Sequence, residues 1–347
     1  MTKLLVLPGD GIGPEITAAT LEVLRAASGD TIETTEMAIG EASLAQSGST
    51  LPEAVIAAVP AADGVILGPV SHYTYPAGQP NPSAALRTRF QLYANIRPCR
   101  SREGLTILRR PMDLVIVREN TEGFYADRSM FAGPGEFMPD PDSAFAIRKI
   151  TGAAARRVTH AACRLARARS GRLTIVHKAN VLKLSDGLFL REAKAVAGDY
   201  PDVTVDEVIV DAAAALLVRD PARFDVIVTT NMFGDILSDE ASELSGSLGL
   251  GASINAGDDI CVAQAQHGSA PDIAGQGIAN PTSLIGSAAM LLDWIGQRKS
   301  DAACRAAAAR IERAIDRVLA DPDRRTRDLG GPLGTAAFAQ AVIGELA

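Results

Sequence analysis

The sequence has little of what staples, exports or anchors a protein. Its 347 residues hold only four cysteines, Cys99, Cys163, Cys261 and Cys304, with no C-x-x-C pair. Spacing that wide fits neither a zinc cluster nor a small disulfide framework, so the sequence predicts reduced thiols and a cytoplasmic protein. Long apolar runs are also missing. The first, residues 4–7, stops at Pro8, short of the ~7–15 residues of a signal-peptide core. The longest, residues 284–296, is broken by Asp293 and is shorter than the ~18–20 residues that span a bilayer. No membrane association is expected. A basic excess is absent too: 34 Lys+Arg stand against 41 Asp+Glu, a net charge of −7. That argues against nucleic acid, whose phosphates need a basic face, but a local arginine cluster can still bind a small anion. No internal repeat interrupts the pattern.

What is present is an ordinary globular composition, 47% hydrophobic and 22% charged. At ~100–200 residues per domain the length suits about two domains, with enough core to need no staples. Short strand-like runs lie at 4–7, 32–37, 64–67, 114–117, 173–176, 205–210 and 226–229. Between them fall helical stretches such as 14–27, 153–169 and 188–197, and a last helix is read at 302–320. Pro14 suits an early helical position. This alternation predicts an α/β architecture with a largely parallel sheet. Residues 129–144 differ, being rich in Gly, Pro, Phe and Met, and read as an arm or long loop of the kind that serves function or an interface. Arg305, Arg310, Arg313 and Arg317 on the last helix read as a solvated face.

Several groupings carry chemistry. Gly9-Asp-Gly-Ile-Gly13 follows a strand and precedes a helix, but a dinucleotide fingerprint needs its third glycine where Pro14 stands. The plainer reading is a tight turn that needs small residues. Arg87, Arg97 and Arg118 stand near predicted element ends; together they suit a di- or tricarboxylate, and singly each reads as a surface ion pair. Asp235 and Asp239 fall four apart, on one face if the segment is helical. Like charges there are costly by a few tenths of a kcal/mol (~0.2–0.5) unless a cation such as Mg²⁺ or a helix N-terminus offsets them. Asp211 follows a predicted strand and offers a third oxygen donor. Lys178 sits just past another strand, where a lowered pKa would make it a base. Tyr125 can donate or relay a proton. Either group alone also reads as structural.

Six segments together resemble one family, the β-decarboxylating dehydrogenases of substituted malates, which include the isocitrate and 3-isopropylmalate dehydrogenases. They are Gly9-Asp-Gly-Ile-Gly-Pro-Glu15, Leu92-Tyr-Ala-Asn-Ile-Arg-Pro98, Val117-Arg-Glu-Asn-Thr-Glu-Gly123, His177-Lys-Ala-Asn180, Asn231-Met-Phe-Gly-Asp-Ile-Leu-Ser-Asp239, and His267-Gly-Ser-Ala-Pro-Asp-Ile273 with Ile278-Ala-Asn-Pro281. The resemblance implies a two-lobed α/β fold that is not Rossmann, with the active site in the cleft between lobes. The first lobe would comprise residues 1–93 and 246–347 and the second 94–245. It implies a homodimer, or a tetramer built from it, whose arms at about 129–144 clasp each other.

Carried over by position, the resemblance assigns the substrate carboxylates to Arg87, Arg97 and Arg118, with Ser83 and Asn180 also near substrate. Mg²⁺ or Mn²⁺ would lie between Asp235, Asp239 and Asp211 of the partner subunit. Lys178 of the partner subunit would take the hydroxyl proton and Tyr125 would protonate carbon after decarboxylation. His267, Gly268, Ser269, Ala270, Pro271, Asp272, Ile273 and Asn280 would hold NAD. Asp272 beside the ribose would repel the 2′-phosphate of NADP, which favours NAD.

The chain departs from the family pattern at Ala263-Gln-Ala-Gln266, where a family glutamate becomes Gln264, and at Ser83 and Ala84, where isopropylmalate enzymes carry large aliphatic residues. A small polar pocket suits a polar substituent, as in isocitrate, tartrate or malate. The alternatives are 3-isopropylmalate and homoisocitrate. A reading of another class is a non-catalytic regulatory subunit, which would be expected to lose catalytic groups that this chain retains.

Overall fold

Apolar runs rich in Val, Ile and Leu become strands here, and the alanine-rich stretches between them become helices, because branched side chains pack well on a pleated surface and alanine loses no side-chain entropy in a helix. The computed structural model describes residues 1–125 and 130–346. In chain order its elements begin β1 (Thr2–Leu7), α1 (Gly13–Ser28), β2 (Ile32–Glu36), α2 (Gly40–Ser47), α3 (Glu53–Ala58), β3 (Gly64–Leu67), α4 (Pro82–Arg89), β4 (Ala94–Arg100) and β5 (Asp113–Glu119). There follow β6 (Glu136–Asp140), β7 (Ser143–Ala146), α5 (Gly152–Ala168), β8 (Arg172–His177), α6 (Ser185–Ala197), β9 (Thr204–Ile209), α7 (Val210–Arg219), β10 (Val226–Thr229) and α8 (Asn231–Ser245). The last are β11 (Ile254–Ala256), β12 (Cys261–Gln264), α9 (Thr282–Lys299), α10 (Ala302–Ala320) and α11 (Thr335–Gly344). The chain divides into two compact units, one of Met1–Leu86, Arg102–Thr106 and Gly246–Ala347, the other of Arg87–Ser101 and Ile107–Ser245.

In the first unit the strands run in the order β2-β1-β3-β12-β11. All neighbours are parallel except β11 and β12. Leu4, Leu5, Val6 and Leu7 are buried without alternation, as expected of a parallel strand covered on both faces. The longest apolar stretch lies in α9, where Leu284, Ile285, Leu291, Leu292 and Ile295 are core. No described helix is long and apolar enough to cross a membrane. Helix α10 is capped by Asp301, whose carboxylate accepts the N–H groups of Ala303 and Cys304 at 2.9 and 3.1 Å. It buries Ile311, Ile315 and Val318, while Arg305 and Arg317 meet Asp293 and Glu345 in exposed pairs at 3.6 and 3.7 Å.

The second unit has the order β4-β5-β10-β8-β9, with only the β4–β5 pair antiparallel. Its strands alternate, and the alternation builds two cores. Val115 and Val117 pack with Val158 and Phe189 from α5 and α6, whereas Leu114 and Ile116 pack with Leu217 and Leu237 from α7 and α8. Because β5, β8, β9 and β10 are parallel, their C-terminal ends share one edge of the sheet. That edge carries Arg118, Lys178, Asp211 and the start of α8.

The stretch that reads as an arm or loop holds β6 and runs into β7, and the two form a ribbon in which Phe137 faces Phe145 across the ladder with rings stacked at 5.4 Å. Pro139 hid the strand from the sequence reading; a proline is tolerated in so short a ribbon because both strands are edges. Ser129, the first residue of that stretch, lies outside the described residues. All four cysteines are buried and unpaired with one another.

Candidate active site

In the second unit, strand geometry gathers the first group of side chains. Asn95 and Arg97 are two residues apart on β4, so they share a face, and Asn95 lies directly opposite Arg118 of β5 in the ladder. Helix α8 opens with Asn231 immediately after β10 and presents Asp235, Ser238 and Asp239 along the next turns. Arg97 Nε donates to Asn95 Oδ1 at 2.6 Å, and its Nη1 reaches Ser238 Oγ at 2.7 Å, Asp239 Oδ1 at 2.9 Å and Asp235 Oδ1 at 3.3 Å. Arg118 donates Nε and Nη2 to Asn231 Oδ1 at 2.9 and 2.7 Å, and Nη1 to Asp235. Tyr125 Oη lies 3.5 Å from Asp235 Oδ2.

Both arginine side chains are buried, while Asp235 and Asp239 are 35% and 49% exposed. Burial, with Arg97 beside it, pulls the Arg118 guanidinium down to about 10. Gly234 makes the approach possible, since a Cβ there would fall 2.6 Å from Arg118 Cβ and Cγ. Arg87 sits half-buried in the last turn of α4.

Lys178 and Asp211 form a second pair. Lys178 follows β8, and its ammonium donates to Asp211 in the first turn of α7, holding that carboxyl below the usual range. The lysine's backbone is fixed from beneath. Its N–H donates to Asp186 Oδ2 at 3.0 Å, and Asp186, wholly buried, takes Arg148 Nη2 on Oδ1 at 2.8 Å. Arg148 also reaches Thr230 Oγ1 at 3.0 Å and lies over the Phe124 and Phe233 rings. Asn180 is exposed in the turn that follows Lys178.

Among the described residues no three His, Cys, Asp or Glu side chains gather into a metal-holding group. Asp235 and Asp239 therefore offer hard oxygen donors one turn apart, each already facing an arginine, and Asp211 is not beside them in this chain. Two carboxylates are a donor set of the kind that Mg²⁺ or Mn²⁺ takes.

The acidic residues of Glu119-Asn-Thr-Glu122 are scaffolding. Glu119 accepts the N–H groups of Thr121 and Glu122 at 2.8 and 3.0 Å. Glu122 accepts Thr151 N and Oγ1 at 2.7 and 3.0 Å, capping the approach to α5. Burial first, with Glu119 adding repulsion, raises Glu122 to about 7. A carboxyl raised on folding contributes stability that is fully present below its unfolded value and lost as pH rises through the folded one. The melting temperature of Glu122→Gln is therefore expected to fall less than wild type's between pH 5 and pH 8. Parallel melting curves would show that Glu122 is not so perturbed.

In the first unit, the Gly9–Gly13 turn serves the loop at 267–273. Gly11 adopts φ +57°, and a Cβ on it would lie 2.0 Å from the Ser269 carbonyl oxygen, which accepts the Ile12 N–H at 2.9 Å. Ser71 Oγ donates to Ser269 Oγ at 2.9 Å. Asp10 fastens the other side, accepting the N–H groups of Glu41 and Ser71 at 2.7 and 2.8 Å and the Tyr75 hydroxyl. Gly268, Pro271 and Asp272 are exposed on this loop, and Ala270 is held at φ +36°. His267 Nδ1 lies 2.9 Å from the Gly268 carbonyl, its Nε2 is buried with no hydrogen-bond partner among the described residues, and burial lowers the ring's pKa. Ile273 closes the short turn that Pro271 begins. Asn280 uses its side chain internally, donating to Asp328 at 3.0 Å and accepting the Thr282 N–H at 3.0 Å. Ser83 is buried and donates to Gln264 Oε1 at 3.0 Å.

The structure thus brings Arg97, Arg118, Tyr125, Asp235 and Asp239 together and pairs Lys178 with Asp211. Sequence reasoning passed over Asn95, Asn231, Arg148 and Asp186. A signal existed for two of them: Asn95 is two residues from Arg97 on a strand, and Asn231 is one turn before Asp235.

Buried arginines face half-exposed acids at the C-terminal end of the parallel strands of the second unit, cationic groups of the kind that can take a carboxylate beside oxygen donors of the kind that can take a hard cation. Residues 3–342 match the isocitrate/isopropylmalate dehydrogenase family. The isocitrate/homoisocitrate dehydrogenase of Thermus thermophilus is 44% identical over 343 residues, covering 98% of this chain and 97% of that protein. The 3-isopropylmalate/3-methylmalate dehydrogenase of Methanocaldococcus jannaschii is 40% identical over 349 residues, covering 99% and 98%. A crystal structure of isocitrate dehydrogenase from Methylococcus capsulatus superposes with a TM-score of 0.89 at 41% identity, covering 100% of this chain and 99% of that one. The chain belongs to the isocitrate/isopropylmalate dehydrogenase family and is a decarboxylating dehydrogenase of hydroxy acids.

Proposed function

We propose that the protein oxidatively decarboxylates a (2R)-malate bearing a polar substituent at C3, using NAD and Mg²⁺ or Mn²⁺, as a homodimer with shared active sites. The observation that carries this is the convergence of Arg97 and Arg118, both buried, on Asp235 and Asp239 with Tyr125 alongside. When bound, NAD supplies a hydride acceptor and the cation polarises the hydroxyl and carbonyl oxygens of the substrate. Asp235 and Asp239, with Asp211 of the partner subunit, would hold that cation.

The chain's own groups do the rest. Arg87, Arg97 and Arg118 bind the substrate carboxylates and offset their mutual repulsion. Lys178 of the partner subunit, as the neutral amine, would take the hydroxyl proton while C2 loses its hydrogen as hydride, which a bound NAD would accept. The resulting ketone lies β to a carboxylate, so the C3–carboxylate bond breaks, CO₂ leaves, and its electron pair forms an enolate. Tyr125 then delivers a proton to C3. Ser83 and Asn180 line the substrate.

The loop from His267 through Ile273, with Asn280, would receive the adenosine. Its exposed Asp272 would accept ribose hydroxyls and repel a 2′-phosphate, which supports NAD over NADP. Exposed Phe137, Met138 and Phe145 on the β6–β7 ribbon support a clasp by a second copy. The absence of a large aliphatic residue at Ser83 and Ala84 supports a polar substituent, although one methylene-scale mismatch is worth only ~1–3 kcal/mol.

The test is NADH formation with Mg²⁺ across isocitrate, homoisocitrate, 3-isopropylmalate, tartrate and D-malate, each with NAD and NADP. Turnover of a polar acid with NAD, lost on chelation, is expected. Preference for 3-isopropylmalate or homoisocitrate would overturn the substrate, and preference for NADP the cofactor.

A further inference from the structure

Arg148 is buried where the segments that carry Lys178 and Tyr125 meet. Its side chain is 8% exposed and that of Asp186 is 0% exposed. On the Lys178 side, Arg148 Nη2 donates to Asp186 Oδ1 at 2.8 Å, and Asp186 Oδ2 accepts the Lys178 N–H at 3.0 Å. Nη1 reaches Ser185 Oγ at 3.1 Å, at the start of α6. On the Tyr125 side, the next residue, Lys149, exchanges backbone hydrogen bonds with Gly123 at 2.9 Å in both directions. The guanidinium also lies 5.7 Å from the ring centre of Phe124, the residue before Tyr125. Nη2 donates further to Thr230 Oγ1 at 3.0 Å, and the Phe233 ring centre lies 5.2 Å away, so the start of α8 ahead of Asp235 rests on the same group.

A buried ion pair is a costly way to hold a core together, because both charges give up their water, and apolar side chains of similar size would serve packing as well. What a guanidinium adds is direction: a rigid fork of donors in one plane, with flat faces that take aromatic rings. The contacts of Arg148 reach the backbone of Lys178 through Asp186 and the residue beside Tyr125 directly. We propose that Arg148 is a positioning residue for both proton-transfer groups of its chain. Tyr125 serves the active site of its own chain and Lys178 that of the partner, so one guanidinium sets the geometry of two active sites at once. This deepens the proposed function and rests on its shared active sites.

The experiment uses mixed dimers of the full-length protein, isolated through different tags on the two chains. A Lys178→Met chain paired with a Tyr125→Phe chain keeps one complete site, built from Tyr125 of the first chain and Lys178 of the second. Arg148→Met is then added to either chain. On the first chain it acts on the complete site only from the Tyr125 side; on the second it acts only from the Lys178 side. Turnover is measured with the acid that wild type uses best, carrying hydrogen or deuterium at C2. Each placement is expected to lower kcat at least ~10-fold, as misplaced reacting groups do. The deuterium effect on kcat should be larger for the Lys178 side, where the hydride step is slowed, than for the Tyr125 side, where the later protonation of C3 is slowed. Partial unfolding would change neither effect, because the ratio does not depend on how much enzyme is active. A smaller loss from either placement, or equal deuterium effects from the two, would overturn the proposal. If Arg148→Met chains do not assemble, Arg148→Lys, which keeps the charge and loses the fork, decides by the same two readings. Failure of both to assemble would make Arg148 a structural residue and overturn the proposal. Wild type that turns over no acid, or a starting mixed dimer no more active than its parents, would overturn the proposed function, and this inference falls with it. An adverse result from Arg148 alone leaves that function standing.

Discussion

Lys178→Met is expected to lower kcat by ~10²–10⁴-fold, the usual worth of a positioned general base, while the affinity for NAD stays near that of wild type. Methionine retains the apolar stem and loses the only part of Lys178 that can take a proton. The backbone should not move, because it is fixed by Asp186 through the lysine N–H and by Arg148 behind Asp186. Asp211 will lose the ammonium that holds its carboxyl low. A pH–rate profile and NAD binding measured by fluorescence titration check the claim together. Equal loss of NAD binding and turnover would remove Lys178 from the proton-transfer step and make it a structural residue.

Asp235→Asn should be as damaging for a different reason. Asp235 faces Arg97, Arg118 and Tyr125 at once, so its carboxylate serves both as a proposed cation ligand and as counter-charge to two buried guanidinium groups. Wild-type activity is expected to vanish with EDTA and return with Mg²⁺ or Mn²⁺. The variant should need a much higher Mg²⁺ concentration for half-activation and should melt at a lower temperature. The stability loss should be below the ~3–5 kcal/mol of breaking a fully buried pair, because Asp235 is 35% exposed. An unchanged Mg²⁺ requirement in a folded variant would exclude Asp235 as a ligand.

The reading of strands and helices from sequence worked where one signal dominated. Residues 64–67, 226–229 and 302–320 are bounded in the structure as the sequence suggests: the first two are unbroken runs and the third is an alanine-rich helix with an Asp cap. It missed β11 and β12, because Ile-Asn-Ala and Cys-Val-Ala-Gln each hold a single branched aliphatic residue, whereas the equally short β3 and β10 are unbroken runs of them. It missed β4 because Arg97, Pro98 and Arg100 break the apolar pattern; only its antiparallel place beside β5 makes it a strand. The glycine turn shows the same division. Its sequence excludes a dinucleotide fingerprint, but only the approach of Gly11 to the Ser269 carbonyl explains the need for a missing Cβ.

Residue types and their order along the chain are enough to specify the α/β class, the family resemblance and the names of the charged groups, because hydrophobic period and local turn chemistry are one-dimensional signals. The tertiary structure decided which of those groups meet. Parallel strands bring their C-terminal ends to one edge, so Arg118 and Asp235, 117 positions apart, touch. The ladder register sets Asn95 against Arg118, and the helix start turns Asn231 toward the same guanidinium. Whether a charge is paired, buried or left to act on a ligand depends on distances and exposure that no spacing along the chain encodes.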